Sequence, residues 1–395
     1  MSFYFDWNIT LLQAVALLSL LLLVACELVY LYGIYDSVWR YGKRARAGRV
    51  KYTDELPGVS VIVYADADNT DCVDAVMHAL LAQDYPKYEI IIVNDDAGDA
   101  VRHTISLYEC DYKNVYQTFV PEAVCNVSRR KLGMTLGVKA ARHEVVVVTE
   151  ANCIPESNQW LRNIGRNFVP GVDVVLGYTR MAAAPDVSDS RYTVFDRVVF
   201  ALQYLSYAVM RHAYMGVNGN LAYRKECFFA HNGFSSTLNL HYGDDDLFVN
   251  EVARGGNVRV ELSASSVVKS HFADNRKAWA AQRMKYGFTA KYLHTSAKIV
   301  FAIEPVLHYL TLVAFVAALW IGFPGLLCMI VALLLAGAYW LVVWRVYRRV
   351  GRVLGERFGS GLVPLYLLLR PLTSWRYAWL SKKENKSYFT WQYLR

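Results

Sequence analysis

Charge is scarce in this chain. Asp, Glu, Lys and Arg make up 19% of its 395 residues, apolar types make up 55%, and the mean hydropathy is +0.19. A composition this apolar asks for lipid around part of the chain, beside a large domain of roughly 250 residues. Cysteine signatures are missing as well. The seven cysteines, at positions 26, 72, 110, 125, 153, 227 and 328, form no CxxC pair and have no histidine at zinc spacing. That argues against structural zinc and for reduced, mostly buried thiols in a cytoplasmic domain. No aromatic-and-basic pattern of an RNA module appears. The formal net charge of +8 falls partly in clusters beside apolar runs, so it speaks for anionic membrane lipid and not for nucleic acid.

Lys and Arg are also absent ahead of the first apolar run. Residues 9–30 supply roughly 22 mostly apolar positions, enough to cross a hydrocarbon core. Arg40, Lys43, Arg44, Arg46, Arg49 and Lys51 follow. Basic residues on that side, and a core that long, exclude a cleaved signal peptide and put the N-terminus outside. Two later runs, 303–321 and 326–343, are broken by the uncharged turn Gly322-Phe323-Pro324-Gly325, as in a helical hairpin that leaves the cytoplasm and returns. Arg345, Arg348, Arg349 and Arg352 mark the second exit. Both clusters put residues 40–300 in the cytoplasm of a multi-pass, bacterial-type inner membrane protein. The stretch 361–380, with Pro364, Arg370, Pro371, Trp375, Arg376 and Trp379 among leucines, is too interrupted to span and reads as lying in the interface.

Between positions 56 and 268 strands and helices alternate, which predicts an α/β domain with a mostly parallel sheet and helices on both faces. A strand over 59–64 runs into Ala65-Asp66-Ala67-Asp68-Asn69, with a helix over 71–83. A strand over 89–93 ends in Asn94-Asp95-Asp96. A helix over 131–142 feeds four valines at 145–148, read as a strand buried on both faces and ending in Thr149-Glu150-Ala151-Asn152. Any one such polar cluster serves commonly as a helix cap or Asx-turn. Three at one sheet edge repel one another unless a cation or ligand donors offset them. That edge is also where open α/β sheets bind ligands, and Glu150 and Asn152 can turn toward a single cation or diphosphate.

In this order the strand Val59-Ser60-Val61-Ile62-Val63, then Asn94-Asp95-Asp96, Lys131, Glu150-Ala151-Asn152 and Pro155 resemble the first half of a family 2 glycosyltransferase of the GT-A fold. The second half continues through Gly216–Arg224 (GVNGNLAYR), Gly233-Phe234, Gly243-Asp244-Asp245-Asp246-Leu247 and Gln282-Arg283-Met284-Lys285-Tyr286. The last pentapeptide resembles the QxxRW signature of membrane-embedded polysaccharide synthases, the cellulose and hyaluronan synthase-like branch. The resemblance covers about 57–292 and implies six segments: a membrane helix over 1–38, a basic linker over 39–56, a GT-A domain over 57–270, an interfacial region over 271–302, a membrane hairpin over 303–344 and a C-terminal segment over 345–395.

The resemblance also implies roles. Ala65 would line the nucleotide site, Asp68 would meet the ribose, Asp95 the base, and Lys131 the base or diphosphate. Glu150 and Asn152 would hold Mg²⁺ or Mn²⁺ on the diphosphate. Asp245 would be the catalytic base, with Asp244 the alternative because the register of that motif is ambiguous. Gln282, Lys285 and Tyr286, near Trp279, would wall the acceptor side and help hold the diphosphate. The reaction needs these types on its own account: the leaving diphosphate gathers negative charge that hard-ligand cations offset, and the attacking hydroxyl must lose a proton to a carboxylate. Glu and Asn replace the usual pair of Asp, and Lys-Tyr replaces Arg-Trp, so weaker metal affinity and transfer of one or a few sugars are expected. His241 and His271 are read as local structural residues. The expected activity is inverting transfer of a sugar from a nucleotide donor, with a lean toward UDP, to a lipid-linked or saccharide acceptor at the cytoplasmic membrane face. The alternatives are a processive exopolysaccharide synthase subunit and a nucleotide-binding relative without catalysis.

Overall fold

The computed structural model describes residues 9–67, 70–121, 127–182, 191–323 and 325–385. Its centre is a seven-stranded sheet in the order β3-β2-β1-β4-β8-β6-β9. The strands are β1 (Val59–Asp66), β2 (Tyr88–Asp95), β3 (Val115–Phe119), β4 (Val145–Glu150), β6 (Val174–Leu176), β8 (Leu221–Arg224) and β9 (Val258–Val260). β3, β2, β1 and β4 are parallel, whereas β8 runs antiparallel to both β4 and β6. A small second sheet pairs β5 (Cys153–Pro155), β10 (Val268–Ser270) and β7 (Thr179–Met181).

The valine run explains the layering. Val145 and Val147 belong to the core on one face and Val146 and Val148 to the core on the other, all but fully buried. A strand alternates its side chains across the sheet, so four valines in a row need apolar cover on both sides. Helices α3 (Val73–Leu81), α4 (Asp99–Asp111) and α6 (Trp160–Gly165) line one side, and α5 (Arg129–Ala140) and α7 (Arg191–Val209) the other. α5 lies unusually close to the sheet: a Cβ on Gly133 would stand 2.9 Å from the Val93 side chain and one on Gly137 2.9 Å from Ile62. That closeness carries the first turn of α5 onto the carboxyl ends of the strands. Two short helices, α8 (Lys225–Ala230) and α9 (Asp246–Val252), follow, and α10 (Asn275–Thr289) closes the domain.

Among the described residues three helices are long and apolar enough to cross a membrane: Leu11–Arg46, Thr295–Gly322 and Leu326–Leu354. The first comprises α1 (Leu11–Tyr30), a π-helical turn at Leu31–Tyr35 and α2 (Asp36–Arg46), so it continues well past the apolar run read from sequence. No proline interrupts it, and its last turn carries Lys43, Arg44 and Arg46, which favour a helix C-terminus. The other two are α11 (Thr295–Gly322), with Pro305 inside it, and α12 (Leu326–Leu354), whose last turn carries Arg352. The interrupted stretch near the C-terminus is one helix, α13 (Val363–Asn385), with Pro371 inside it. It packs on α10, α11 and α12 and leaves Leu372, Trp375 and Trp379 exposed.

Candidate active site

Strand register brings the acidic ends together. Tyr64 lies opposite Glu150 across β1 and β4, and Asp66 lies opposite Asp95 across β1 and β2. What neutralises this edge is the opening of α5. Ser128 caps the helix, accepting a hydrogen bond from the Lys131 backbone N–H. Arg129 then donates to Asp95 at 2.9 Å, while the Tyr64 hydroxyl donates to the other oxygen of that carboxylate. Arg130 donates through one terminal nitrogen to Glu150 and through Nε to Asp244 Oδ2 at 2.7 Å, with its guanidinium 4.6 Å from the Tyr64 ring centre. These two arginines, which sequence reasoning passed over, supply the offset that the acidic edge requires. A signal for them existed: Arg129-Arg130-Lys131 at a helix N-terminus opposes the helix dipole and is tolerated where acids face it.

Lys131 itself departs from expectation. It is fully buried and donates to the carbonyls of Thr237 at 2.5 Å and Tyr242 at 2.8 Å. Burial pulls its pKa down to about 8. It therefore anchors the segment ahead of the acidic triplet and does not face a diphosphate, because helical spacing sends the third residue of the run inward while the first two reach the edge.

Gly243, at φ +106°, makes the turn into Asp244-Asp245-Asp246; a Cβ there would stand 2.5 Å from Leu247. Asp245, the expected base, is completely buried. Its Oδ2 accepts from the Asn218 N–H at 3.1 Å, Lys285 Nζ at 2.9 Å and the Tyr286 hydroxyl at 2.7 Å, and its Oδ1 from the Asp246 N–H. Both oxygens are thus committed to holding the loop onto α10. Asp244 differs. Its Oδ2 takes Arg130 and the Asn218 amide, whereas its Oδ1 has no hydrogen-bond partner and sees only Lys285 Nζ at 3.9 Å. Burial alone would raise the Asp244 pKa, but Arg130 and Lys285 override it and hold the carboxyl well below the usual range. Asp246 is pushed up, by burial first and by Asp245 second, and accepts from Thr289.

α10 is no loose interfacial helix. Trp279 Nε1 donates to buried Asp196 at 2.9 Å, and Tyr286 stacks on Phe200 with ring centres 5.1 Å apart. A small cavity of about 60 Å³ lies beside Glu150, bounded by Asn218, Gln282, Phe200 and Trp279. Of the acceptor-side trio, Lys285 and Tyr286 reach the acidic triplet and Gln282 lines this cavity.

The remaining expectations fall as follows. Ala65 is a buried residue near the end of β1, paired with Asn94, and Asp68 lies outside the described residues. Asn152 does not join Glu150 at the edge. It is buried, its amide donates to the His271 carbonyl at 3.2 Å, and its oxygen faces the Cys153 thiol at 3.4 Å. The cause is strand pairing: His271 N–H donates back to the Asn152 carbonyl, which extends the β5–β10 ladder. His241 packs edge-on against Tyr242, and burial lowers the pKa of His241 and of His271.

Among the described residues no three His, Cys, Asp or Glu side chains cluster as a ready-made metal site. Two carboxylates do converge. One guanidinium, that of Arg130, touches both Glu150 and Asp244. One carboxylate with substrate phosphates suffices for Mg²⁺ or Mn²⁺, so the residues fit a divalent ion held by Glu150, with the Asn152 amide turned to His271 instead.

The model of glycosyl transferase family 21 matches residues 20–387. No curated protein matches the chain. Among solved structures, the mannosyltransferase PcManGT from Pyrobaculum calidifontis, in complex with GDP-Man and Mn²⁺, superposes with TM-score 0.51 at 17% identity, covering 92% of this chain and 99% of that one. The S. aureus protein TarS (1–349) gives 0.40 at 15%, covering 83% and 91%, and GalNAc-T7, with UDP, GalNAc and Mn²⁺, gives 0.41 at 13%, covering 56% and 45%. At these identities only the first bears on this chain, and what it shares is the fold. The GT-A architecture thus agrees with the motif order, and the matched family is 21, where the motifs resembled family 2.

Proposed function

The chain belongs to glycosyl transferase family 21, and from that premise we propose that it moves a sugar from a nucleotide-sugar donor to a lipid-linked or saccharide acceptor at the cytoplasmic membrane face, with inversion at the anomeric carbon. The observation that carries this reading is the convergence of Glu150 from β4, Asp244 from the acidic triplet and Lys285 from α10 around one guanidinium, Arg130. A nucleoside diphosphate brings negative charge that needs cations beside it. Arg130 and Lys285 supply two, and a divalent ion on Glu150 would add a Lewis acid that stabilises the departing phosphate. The mannosyltransferase described above was solved with GDP-Man and Mn²⁺, which favours such an ion.

Asp244 takes the role of base. Its Oδ1 is the carboxylate oxygen of the triplet left without a hydrogen-bond donor, so an acceptor hydroxyl has a place to donate. While Arg130 holds Asp244 the carboxylate is too acidic to draw a proton well. Movement of the guanidinium onto the donor diphosphate raises the proton affinity of Asp244 as the leaving group becomes stabilised. The hydroxyl oxygen then bonds to the anomeric carbon, its proton passes to Asp244, and the nucleoside diphosphate departs from the opposite face.

The test is transfer by purified full-length chain in membranes, with a panel of UDP- and GDP-sugars and with lipid and saccharide acceptors. Asp244→Asn should lower turnover by about 10²- to 10⁴-fold, the range for loss of a general base. Asp245→Asn should act chiefly on stability, and thermal unfolding separates the two. Full turnover by folded Asp244→Asn would move the base elsewhere, and no turnover of any donor by the wild type would leave a nucleotide-binding relative.

A further inference from the structure

The cavity beside Glu150 has two walls, and the chain that leaves a membrane helix touches both of them. One wall is the small sheet, through Cys153 of β5, Thr179 and Met181 of β7 and Ser270 of β10. The other is α7, through Phe200 and Tyr204. Side chains alternate along a strand, so with Thr179 and Met181 on the cavity, Arg180 between them turns outward.

What Arg180 meets there is the end of α12. Gly355, at φ +71°, follows the helix, and the Glu356 N–H returns to the Gly351 carbonyl at 2.9 Å. A left-handed residue with that bond closes a helix and turns the chain aside. The turn lies on the domain. Arg180 donates to the Gly355 carbonyl at 2.9 Å and also to Glu156, which receives Lys269 of β10 at 2.6 Å. The Tyr178 hydroxyl donates to Glu356 Oε1 at 2.8 Å. Phe358 meets Phe195 of α7 with ring centres 5.8 Å apart. Residues 355–358 thus hold the strand wall and the helix wall together.

Tyr178 carries this contact inward. It is 4% exposed and lines the cavity, and its carbonyl accepts from Asn220 Nδ2 at 3.0 Å, beside β8. Burial first and Glu356 second raise its pKa well above the ordinary tyrosine value, so the hydroxyl keeps its proton and donates. A buried hydroxyl that loses its acceptor is costly, and the ring that bears it must move to find another. A simple membrane tether needs none of these bonds. We propose that the turn after α12 braces the wall that receives the donor's sugar, with Glu356 as a positioning residue that acts through Tyr178. The inference rests on the transferase reading, in which Glu150 lies at the diphosphate and the sugar enters the cavity beside it.

The test is calorimetry on full-length chain in detergent with Mn²⁺, comparing UDP- and GDP-sugars with bare UDP and GDP. The wild type should bind one nucleotide sugar more tightly than its bare nucleotide, and that ratio is the sugar's contribution. Glu356→Leu should lower the ratio about tenfold, the loss of one hydrogen bond to a charged acceptor, and leave bare-nucleotide affinity in place. Tyr178→Phe breaks the same bond from the other side and should give the same loss, which keeps the test decisive where Glu356→Leu does not fold. The two changes together should cost no more than either alone. Glu356→Gln keeps an acceptor for Tyr178 and should restore the ratio. Parallel loss of nucleotide and nucleotide-sugar affinity, an unchanged ratio in folded Tyr178→Phe, additive losses in the double variant, or a wild type that gains nothing from the sugar would overturn the proposal. A wild type that binds no nucleotide would overturn the transferase reading itself, so the two failures are told apart.

Discussion

Two guanidiniums in this chain each hold two carboxylates, and they are built for opposite purposes. Arg130 bridges Glu150 and Asp244 at the sheet edge; Arg370 bridges Asp196 and Glu304 under the membrane helices. Around Arg370 everything is closed. Asp196 also receives Trp279 and lies 3.6 Å from Arg283, Glu304 receives Tyr35 and Gln203, and the guanidinium side chain is 10% exposed. Arg130 is 19% exposed, rests on the Tyr64 ring and leaves Asp244 Oδ1 unpartnered. The first arrangement ties α13 to α7 and α11, and nothing in it is left to bind. The second has the composition of an occupied site, with a protein cation standing where a ligand's cations would go. A buried bridge is therefore evidence of function only when one of its acids keeps a free oxygen.

That contrast has measurable ends. Arg370→Met leaves Asp196 and Glu304 without their shared cation in a dry setting, and should cost about 3–5 kcal/mol of stability, with no relief from added metal. Arg130→Met should cost less, about 2–3 kcal/mol, because its surroundings are partly open to water. Mn²⁺ at roughly a hundred times its dissociation constant should return about 2.7 kcal/mol to this variant. Thermal unfolding in detergent, with and without Mn²⁺ and without nucleotide, reads both. Equal rescue of the two variants, or of neither, would remove the distinction between them.

How much of this was legible in the sequence differs between the two bridges. The parallel half of the sheet, its two buried faces and the acidic strand ends followed from the valines at 145–148 and the polar clusters, because strand periodicity is a local signal. The convergence of Glu150 with Asp244, Lys285 and Tyr286 followed from motif order. Arg130 is within reach of the sequence, two residues past the capping Ser128; helical phase decides which residue of a basic run faces the edge, and a helix read from 131 starts two residues too late to show it. Asn152 was misplaced because its role is set by His271, more than a hundred residues away, through a ladder that no local pattern announces. The Arg370 bridge was illegible for the same reason. Its members come from α7, α11 and α13, and none of the three segments carries a motif.

Lys131 gives the sharpest test of that helical phase. With its pKa lowered to about 8 by burial, the folded chain releases a proton that the unfolded chain, at the ordinary lysine value of 10.5, still holds. Between those values the unfolded state binds more protons, so stability rises as pH increases from about 8 toward 10.5, and the contribution is level below pH 8, where both states hold the proton. Other groups titrate in that window, and comparison with Lys131→Met cancels them. The wild type should gain on the order of 1 kcal/mol for each pH unit relative to the variant across the window. Arg129→Gln and Arg130→Met should show no such pH-dependent difference, since their guanidiniums stay charged throughout. Identical pH slopes for wild type and Lys131→Met in urea unfolding would mean that Lys131 reaches water at the strand edge with its neighbours, and the inward anchor would be lost from the account.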